Sequence, residues 1–337
     1  MRHLAAIALL FVASIGSAAE QPITVRVGFF PNLTHSPAIA ARQLEREGAD
    51  WHLAHLPPGS KIEWRSYNAG PSAMEALLAG AIDLTYVGPS PVINAHVRTK
   101  GQQIRILAPV AHAGNALVVR KGLNLKTPKD FIGRRVATPQ LGNTQDIEAR
   151  VWLKQGGLKI ALNGGDAQII PAANAELVLL FSRGDVDAAW TVEPWVTRLT
   201  TEFGGEILVE NKESIITVLA SSKTALSKNK RGIEAFVQSH YLLRDKLLAD
   251  QVWHEKLIRN GIGGETRSAA PQAELISTAL SRVVFDGRED DATRKARLTS
   301  ALTQALKDSQ ASGLLNGDAT IEPLLESLIA DPAPVQK

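Results

Sequence analysis

Apolar and polar positions along this chain fall into short runs of two alternating kinds. Ile23–Phe30 (ITVRVGFF) is mostly apolar and bounded by Pro22 and Pro31, the mark of a buried strand. Pro37–Glu47 carries its apolar residues at helical spacing. Lys61–Tyr67 alternates as a strand, and Ser72–Ala79 reads as a helix closed by Gly80. Leu84–Val87 is a short buried strand, Pro91–Arg98 a helix and Ile104–Pro109 a strand. Strands that alternate with helices specify a mostly parallel sheet flanked by helices, because a parallel pair needs a crossover long enough to hold a helix.

The alternation then starts again. Ala116–Arg120 and Arg135–Ala137 read as strands around a short helix at Thr127–Phe131, with Thr127 as N-cap and Pro128 at the first helical position. A helix over Thr144–Leu153 follows, then a strand at Gln168–Ile170 and a helix at Ala175–Arg183 ended by Gly184. Ala188–Trp190 and Ile207–Val209 are strands on either side of a helix at Pro194–Glu202. Ile215–Ala220 reads as a strand that carries the chain back to the first half. Helices are predicted over Lys228–Ala249, Gln251–Asn260, Pro271–Leu280, Ala292–Gln310 and Ile321–Ile329, with a loose tail at Asp331–Lys337. A chain of 337 residues exceeds the size at which one core keeps growing. Two α/β lobes are expected, 20–112 together with 216–337, and 113–215. They echo each other in architecture, not in residue identity.

Composition narrows the class. Arg2 and His3 precede an apolar stretch, Leu4–Gly16, and Ser17-Ala18-Ala19 fits a small-x-small cleavage site. Residues 1–19 therefore read as a signal peptide, and the apolar stretch is too short to span a bilayer. The sequence contains no cysteine, which excludes a lipidated N-terminal cysteine, disulfides and a thiol nucleophile. A soluble, monomeric chain exported to the periplasm follows. Net charge is +3 without a basic block, so nucleic acid is not an expected partner.

Candidate chemistry gathers where strands give way to helices. Gly70-Pro71-Ser72 and Gly88-Pro89-Ser90 repeat one tripeptide at two such junctions, and Gly142-Asn143-Thr144 has the same character. A helix start presents unpaired N–H groups and the positive end of its dipole. Glycine lets a ligand approach the backbone, proline fixes the turn, and hydroxyls add neutral donors. The same residues serve ordinary capping in any α/β protein. All three junctions lie at the carboxyl edge of a sheet, where ligands of open α/β sheets bind. That placement favours a small oxyanion site. Asn32, Thr34 and His35 follow the first strand at this edge, where Asn32 and Thr34 also suit N-capping. Trp190 and Glu193 follow a strand in the second half. Glu193 would repel a bare anion, so a ligand amine or a nearby cation would have to accompany it. His112 lies between the halves. His52 and His55 have no carboxylate cluster near them in sequence, and no metal or cofactor is expected. No P-loop, Gly-x-Gly-x-x-Gly or Ser-His-Asp spacing occurs.

These residues carry a resemblance. Val27–Pro37 (VGFFPNLTHSP), Tyr67–Ala95 (YNAGPSAMEALLAGAIDLTYVGPSPVINA), Val136–Asp146 (VATPQLGNTQD) and Arg183–Trp195 (RGDVDAAWTVEPW) resemble the substrate-binding proteins of sulfonate, taurine and nitrate ABC importers. The similarity runs over residues 23–240. It implies the two-lobed type II periplasmic binding fold, with lobes joined by two crossovers near Val110–Asn115 and Ser214–Ala220. It further implies a non-enzymatic carrier that holds an aliphatic sulfonate, taurine or nitrate in the cleft and delivers it to a membrane permease. The resemblance puts Asn32, Gly70–Ser72, Gly88–Ser90, Gly142–Thr144, Trp190 and Glu193 at that cleft. Two other readings stay open. A neutral heterocycle such as a pyrimidine precursor could stack on Trp190, and an exported lyase could use Glu193 with His35 or His112.

Overall fold

The computed structural model describes residues 20–332, so the predicted signal segment and residues 333–337 lie outside them. The first run is β1 (Thr24–Phe29), α1 (Ser36–Arg46), β2 (Lys61–Ser66), α2 (Gly70–Leu78), β3 (Leu84–Val87), α3 (Pro89–Arg98) and β4 (Ile104–Ala113). The second is β5 (Asn115–Val119), β6 (Arg135–Thr138), α4 (Thr144–Gln155), β7 (Gln168–Pro171), α5 (Asn174–Arg183), β8 (Ala188–Val192), α6 (Trp195–Phe203) and β9 (Glu206–Glu210). The chain ends with β10 (Ile215–Ser222), α7 (Lys223–Ala249), α8 (Gln251–Thr266), α9 (Ala273–Leu280), β11 (Val283–Phe285) and α10 (Asp291–Ser312).

Two sheets result, in the orders β11-β4-β10-β3-β1-β2 and β7-β6-β8-β5-β9. In the first, β1 pairs in parallel with β2 and β3, while β10 enters antiparallel between β3 and β4. In the second, β6 pairs in parallel with β7 and β8, and β5 is the reversed strand. The strands that enter each sheet straight after a crossover, β5 and β10, are reversed because no helix intervenes to turn the chain. β4 passes into β5 through Ala113 and Gly114, both left-handed at φ +61° and +72°. A Cβ at Gly114 would meet Val283 Cγ2 at 2.6 Å as well, so this turn requires glycine. The second crossover runs beside the first, and the Ala113 N–H donates to the Ser214 carbonyl at 3.0 Å. This is the two-lobed α/β fold expected from the alternation of elements.

Several boundaries differ from the sequence reading. Helices α2 and α3 begin at Gly70 and Pro89, two residues earlier than periodicity suggests. The first Gly-Pro-Ser therefore lies wholly in the first turn of α2, after its cap Ala69, while the second supplies the cap Gly88 and the start of the first turn of α3. Helix α7 begins at Lys223, with non-helical Asn229 marking where the amphipathic pattern resumes. The predicted helix at Ile321–Ile329 is a single 3-10 turn, Glu322–Leu325. Asp331, placed in the loose tail, is held by Arg244 at 2.8 Å. No helix among the described residues is long and apolar enough to cross a membrane.

The principal core runs continuously beneath both sheets, joining Val25, Val27 and Phe236 to Leu177, Phe181 and Val196. Within it His52 stacks on Phe236 at 4.2 Å, and Trp64 stands edge-on to Phe29 and Phe236. His52 Nδ1 is 2.6 Å from Ser239 Oγ, so this histidine is a core residue rather than a metal ligand. Helix α10 leaves the first sheet and packs on both α3 and α4. Lys154 of α4 caps its far end, donating to the carbonyls of Ala311 and Ser312 at 3.0 and 2.7 Å.

Phe236 is fully buried between two aromatic neighbours, His52 and Trp64. Phe236→Ala is expected to cost about 3–5 kcal/mol, read as a lowered urea midpoint. A loss below about 1 kcal/mol would show that this aromatic cluster does not hold the core.

Candidate functional site

The starts of α2, α3 and α4 converge at the carboxyl edges of the two sheets. Here a small cavity of ≈ 30 Å³ is lined by Asn32, Thr34, His35, Gly70, Gly88, Asn143 and Thr144. That space is roughly two to three times what one water needs, suited to a compact headgroup. Seven residues singled out in the sequence thus meet at one point. The two sheets' helices approach closely here, since a Cβ at Gly88 would stand 2.4 Å from Thr144 Oγ1.

The polar groups at and beside this wall are neutral. Helix α3 has Pro89 and Pro91 at its first and third positions, and neither has an N–H. Its first-turn donors are therefore the Ser90 N–H and hydroxyl. Thr144 opens α4, and its buried hydroxyl has no hydrogen-bond partner. The Phe30 N–H donates to His35 Nδ1 at 3.2 Å, and burial lowers the ring's pKa to about 3. A neutral ring that accepts at Nδ1 carries its proton on Nε2, so His35 is an uncharged donor. Trp195 Nε1 and Asn174 Nδ2 both donate to Asn32 Oδ1, at 2.9 and 3.4 Å. Two donors on that oxygen fix the amide and leave Asn32 Nδ2 to donate elsewhere. Asn32 is fed by the first sheet and its partners by the second, so this amide bridges the lobes.

The loop before α4 is held by a buried ion pair. Asp146 accepts from Arg150 Nε at 3.0 Å, from Thr138 Oγ1 at 3.1 Å and from the Gly142 N–H at 2.9 Å. Asn143 caps α4 by accepting from the Asp146 N–H at 2.8 Å and donates to Gln145 Oε1 at 2.9 Å. Asn143 therefore lines the cavity but spends its amide on the helix start, as the capping reading holds.

Other sequence-predicted residues lie elsewhere. The Ser72 hydroxyl donates to the Ala69 carbonyl at 2.9 Å, at the third position of α2. Pro71 and Gly142 border a separate surface depression with Met74 and Leu78. Pro89 and Ser90 face a larger neighbouring cavity, which Thr144 also lines. His112 sits on β4 opposite Val284, with Nδ1 3.6 Å from Asp286. Trp190 is buried under Trp152, rings 6.3 Å apart, two residues back from the end of β8. Glu193 turns away from the cavity: its carboxylate accepts from the Thr197 N–H and Oγ1, both at 3.0 Å, with Arg282 at 3.5 Å. Burial raises its pKa to about 8. The polar wall residues that the sequence reading missed are the amides Asn68, Gln145 and Asn174. Asn174 opens α5 after β7, so the same strand-to-helix rule would have found it without a glycine. Among the described residues no group of three or more His, Asp or Glu side chains is arranged to hold a metal ion.

Comparisons with known proteins agree with this architecture. The model of the NMT1-like family matches residues 18–251. The taurine-binding periplasmic protein of Escherichia coli (strain K12) is 26% identical over 202 residues, 58% of this chain and 60% of that protein. A putative aliphatic sulfonates-binding protein of the same strain is 28% identical over 212 residues, 62% of each. The chain thus matches about three fifths of the length of these curated relatives. The alkanesulfonate-binding protein SsuA from Xanthomonas axonopodis pv. citri, solved with MOPS bound, superposes with a TM-score of 0.70 at 20% identity, covering 91% of this chain and 99% of that one. That likeness concerns the fold.

Burial sets opposing pH dependences. His35 and His52 are pushed to about 3, His254 to about 4 and His240 well below its usual value, all chiefly by burial. Their unfolded forms take up protons near pH 6.5 while the folded forms do not. Their contribution is full above that pH and is lost on acidification, about 1.4 kcal/mol per unit for each histidine. Glu148 and Glu193 run the other way. Raised from 4.5 to about 8 by burial, they keep their protons when folded, so stability falls as pH rises from about 4.5 to about 8. The urea midpoint is expected to peak between about pH 6 and 7, and Glu193→Gln should flatten the alkaline side. A midpoint that rises steadily to pH 8 would contradict this assignment.

Proposed function

The chain belongs to the NMT1-like family, and from that membership we propose that it is the substrate-binding protein of an ABC importer. On this reading residues 1–19 direct export to the periplasm and are cleaved near Ala19. The mature monomer holds a small oxyanion, of the aliphatic sulfonate, taurine or nitrate type, between lobes 20–112 with 216–337 and 113–215. A permease in the inner membrane receives it. The observation that carries the proposal is the chemistry of the cavity wall. Donors from both lobes meet there, His35 is the one titratable side chain among the lining residues, and burial keeps it neutral.

Neutral donors suit a carrier. Each helix start favours an anion by roughly 0.3–2 kcal/mol, and hydrogen bonds to a charged group contribute about 1.5–3 kcal/mol each. A full opposite charge would bind more tightly and release more slowly. The paired crossovers, joined at Ala113 and Ser214, supply a hinge about which the lobes close. The relatives' names favour a sulfonate head. The position of Trp190 disfavours a stacked heterocycle, because its ring is packed under Trp152 and does not line the cavity. An acid–base pair for a lyase is likewise absent from the lining residues, since Glu193 is spent on Thr197 and His112 lies beside Asp286.

Thermal-shift screening tests the class. Sulfate, nitrate, ethanesulfonate and 2-aminoethanesulfonate are the candidates, and a true ligand at a hundred times its Kd stabilises by about 2.7 kcal/mol. If a pyrimidine raises the melting temperature and none of the oxyanions does, the proposal fails. In Ser90→Ala with Thr144→Ala, affinity should fall at least about tenfold while the unliganded melting temperature stays close to that of the parent. Unchanged affinity in this variant would remove the α3 and α4 starts from the site.

A further inference from the structure

Beyond Ser90 and Thr144 lies a second cavity, of ≈ 520 Å³, lined also by Glu148, Glu213, Arg297, Gln304 and Asp308. Thr144 belongs to the walls of both cavities and is only 6% exposed, with its hydroxyl unpartnered. The Thr144 side chain is thus the wall that the head site and this chamber share. The chamber is acidic where the head site is neutral. Glu148 stands one turn along α4 from Thr144, a spacing that a two- or three-carbon chain bridges. Its Oε1 accepts from Asn115 Nδ2 at 3.3 Å; its buried Oε2 has the Trp190 indole N–H nearby but makes no hydrogen bond of normal geometry. Asp308 accepts from Gln304 Nε2 at 2.8 Å. The one cation among the lining residues, Arg297, is already bound to Asp286 at 2.5 Å and Glu289 at 2.6 Å. The chamber thus holds carboxyls with no cation left for them.

Resting on the oxyanion reading of the head site, we propose that this chamber receives a protonated amine on the ligand's tail, with Glu148 as its principal counter-ion and Asp308 opposite. The ligand class is then a zwitterion, a short aminoalkyl oxyanion, rather than a simple anion. The energetics agree. Burial first, and then the neighbouring Asp308 charge, push the Glu148 carboxyl up to about 8. An ammonium group between the two relieves both effects, and a charge-assisted hydrogen bond to Oε2 satisfies that oxygen. This role, the accommodation of an amine near the anion site, falls to Glu148 and not to Glu193, which is already bound by Thr197 and Arg282.

Titration calorimetry on the full mature chain with 2-aminoethanesulfonate and ethanesulfonate decides the matter. The two differ by the amine alone. The aminated compound is expected to bind at least about tenfold more tightly. Glu148→Gln should bring that ratio to about one, and Asp308→Asn, a second variant in case the first does not fold, should reduce it severalfold. Equal affinities in the parent protein, or a preference that survives both substitutions, overturn the inference. Binding of ethanesulfonate with no preference for the amine would overturn it while leaving the oxyanion reading intact. Failure of both sulfonates, sulfate and nitrate to bind would remove both.

Discussion

The approach of Gly88 to Thr144 is the contact on which the rest of the site depends. Each residue belongs to the start of a helix, α3 on one sheet and α4 on the other, and a side chain at 88 would collide with the threonine hydroxyl at 2.4 Å. Two helix N-termini therefore face one another, each carrying about half a positive charge. Such ends repel, and the residues lining the gap are neutral amides, hydroxyls and an uncharged histidine. A carboxylate placed there would satisfy the helix ends permanently and leave no role for a ligand. A lysine or arginine would add to the repulsion when the site is empty. With neither, the gap between the helix starts is left for an anion from solution, as the proposed function requires.

The carboxylates near the site are placed consistently with this. Asp146 is fully buried close behind the cavity, yet Arg150, Thr138 and the Gly142 N–H surround it. Its charge is spent on shaping the turn that presents Thr144. Glu193 lies just past the end of β8, and its backbone ties the first crossover to the turn after β1, donating to the Gly114 carbonyl and accepting from the Leu33 N–H, both at 2.8 Å. Its side chain is turned to Thr197 and Arg282. Both acids act on structure, one locking a helix start and the other the hinge side of the cleft. Glu148 differs in having an oxygen without a hydrogen bond of normal geometry, which marks it as the acid with work left to do.

Much of this was legible in the chain. The alternation of strand and helix gave the architecture because side-chain periodicity is a local property. Junction chemistry located Asn32, Thr34, His35, Gly70, Gly88, Asn143 and Thr144 because helix starts must satisfy their donors locally. What failed was direction. Trp190 and Val192 share a face of β8, but only the residue at the strand end reaches the cavity, and two residues back the indole lies under Trp152. Glu193 was assigned to the cleft by position, while its rotamer is set by Thr197 one turn on. The extra length of α2 and α3 escaped because Gly-Pro-Ser looks like a loop until the tripeptide is read as a helix start. Asn68, Gln145 and Asn174 carry no motif, and β11 pairs with β4 only after the last helices have brought it there.

The C-terminal part of the chain, the least distinctive in sequence, then gains a specific place. Helix α10 packs on α3 and on α4 and is capped by Lys154 of the latter, so it spans both lobes and closes one side of the acidic chamber with Gln304 and Asp308. On the proposed reading an oxyanion head would be met largely by backbone, helix starts and glycine, features that a point substitution alters only by disturbing the fold. A tail in the chamber would be met by single side chains on α4 and α10, each replaceable without moving a strand. One architecture can thus keep its grip on a common headgroup while the tail it accepts is set by a few residues around Glu148. A carrier fold that serves several related ligands requires that separation, and here it follows from where the helices start and where α10 crosses.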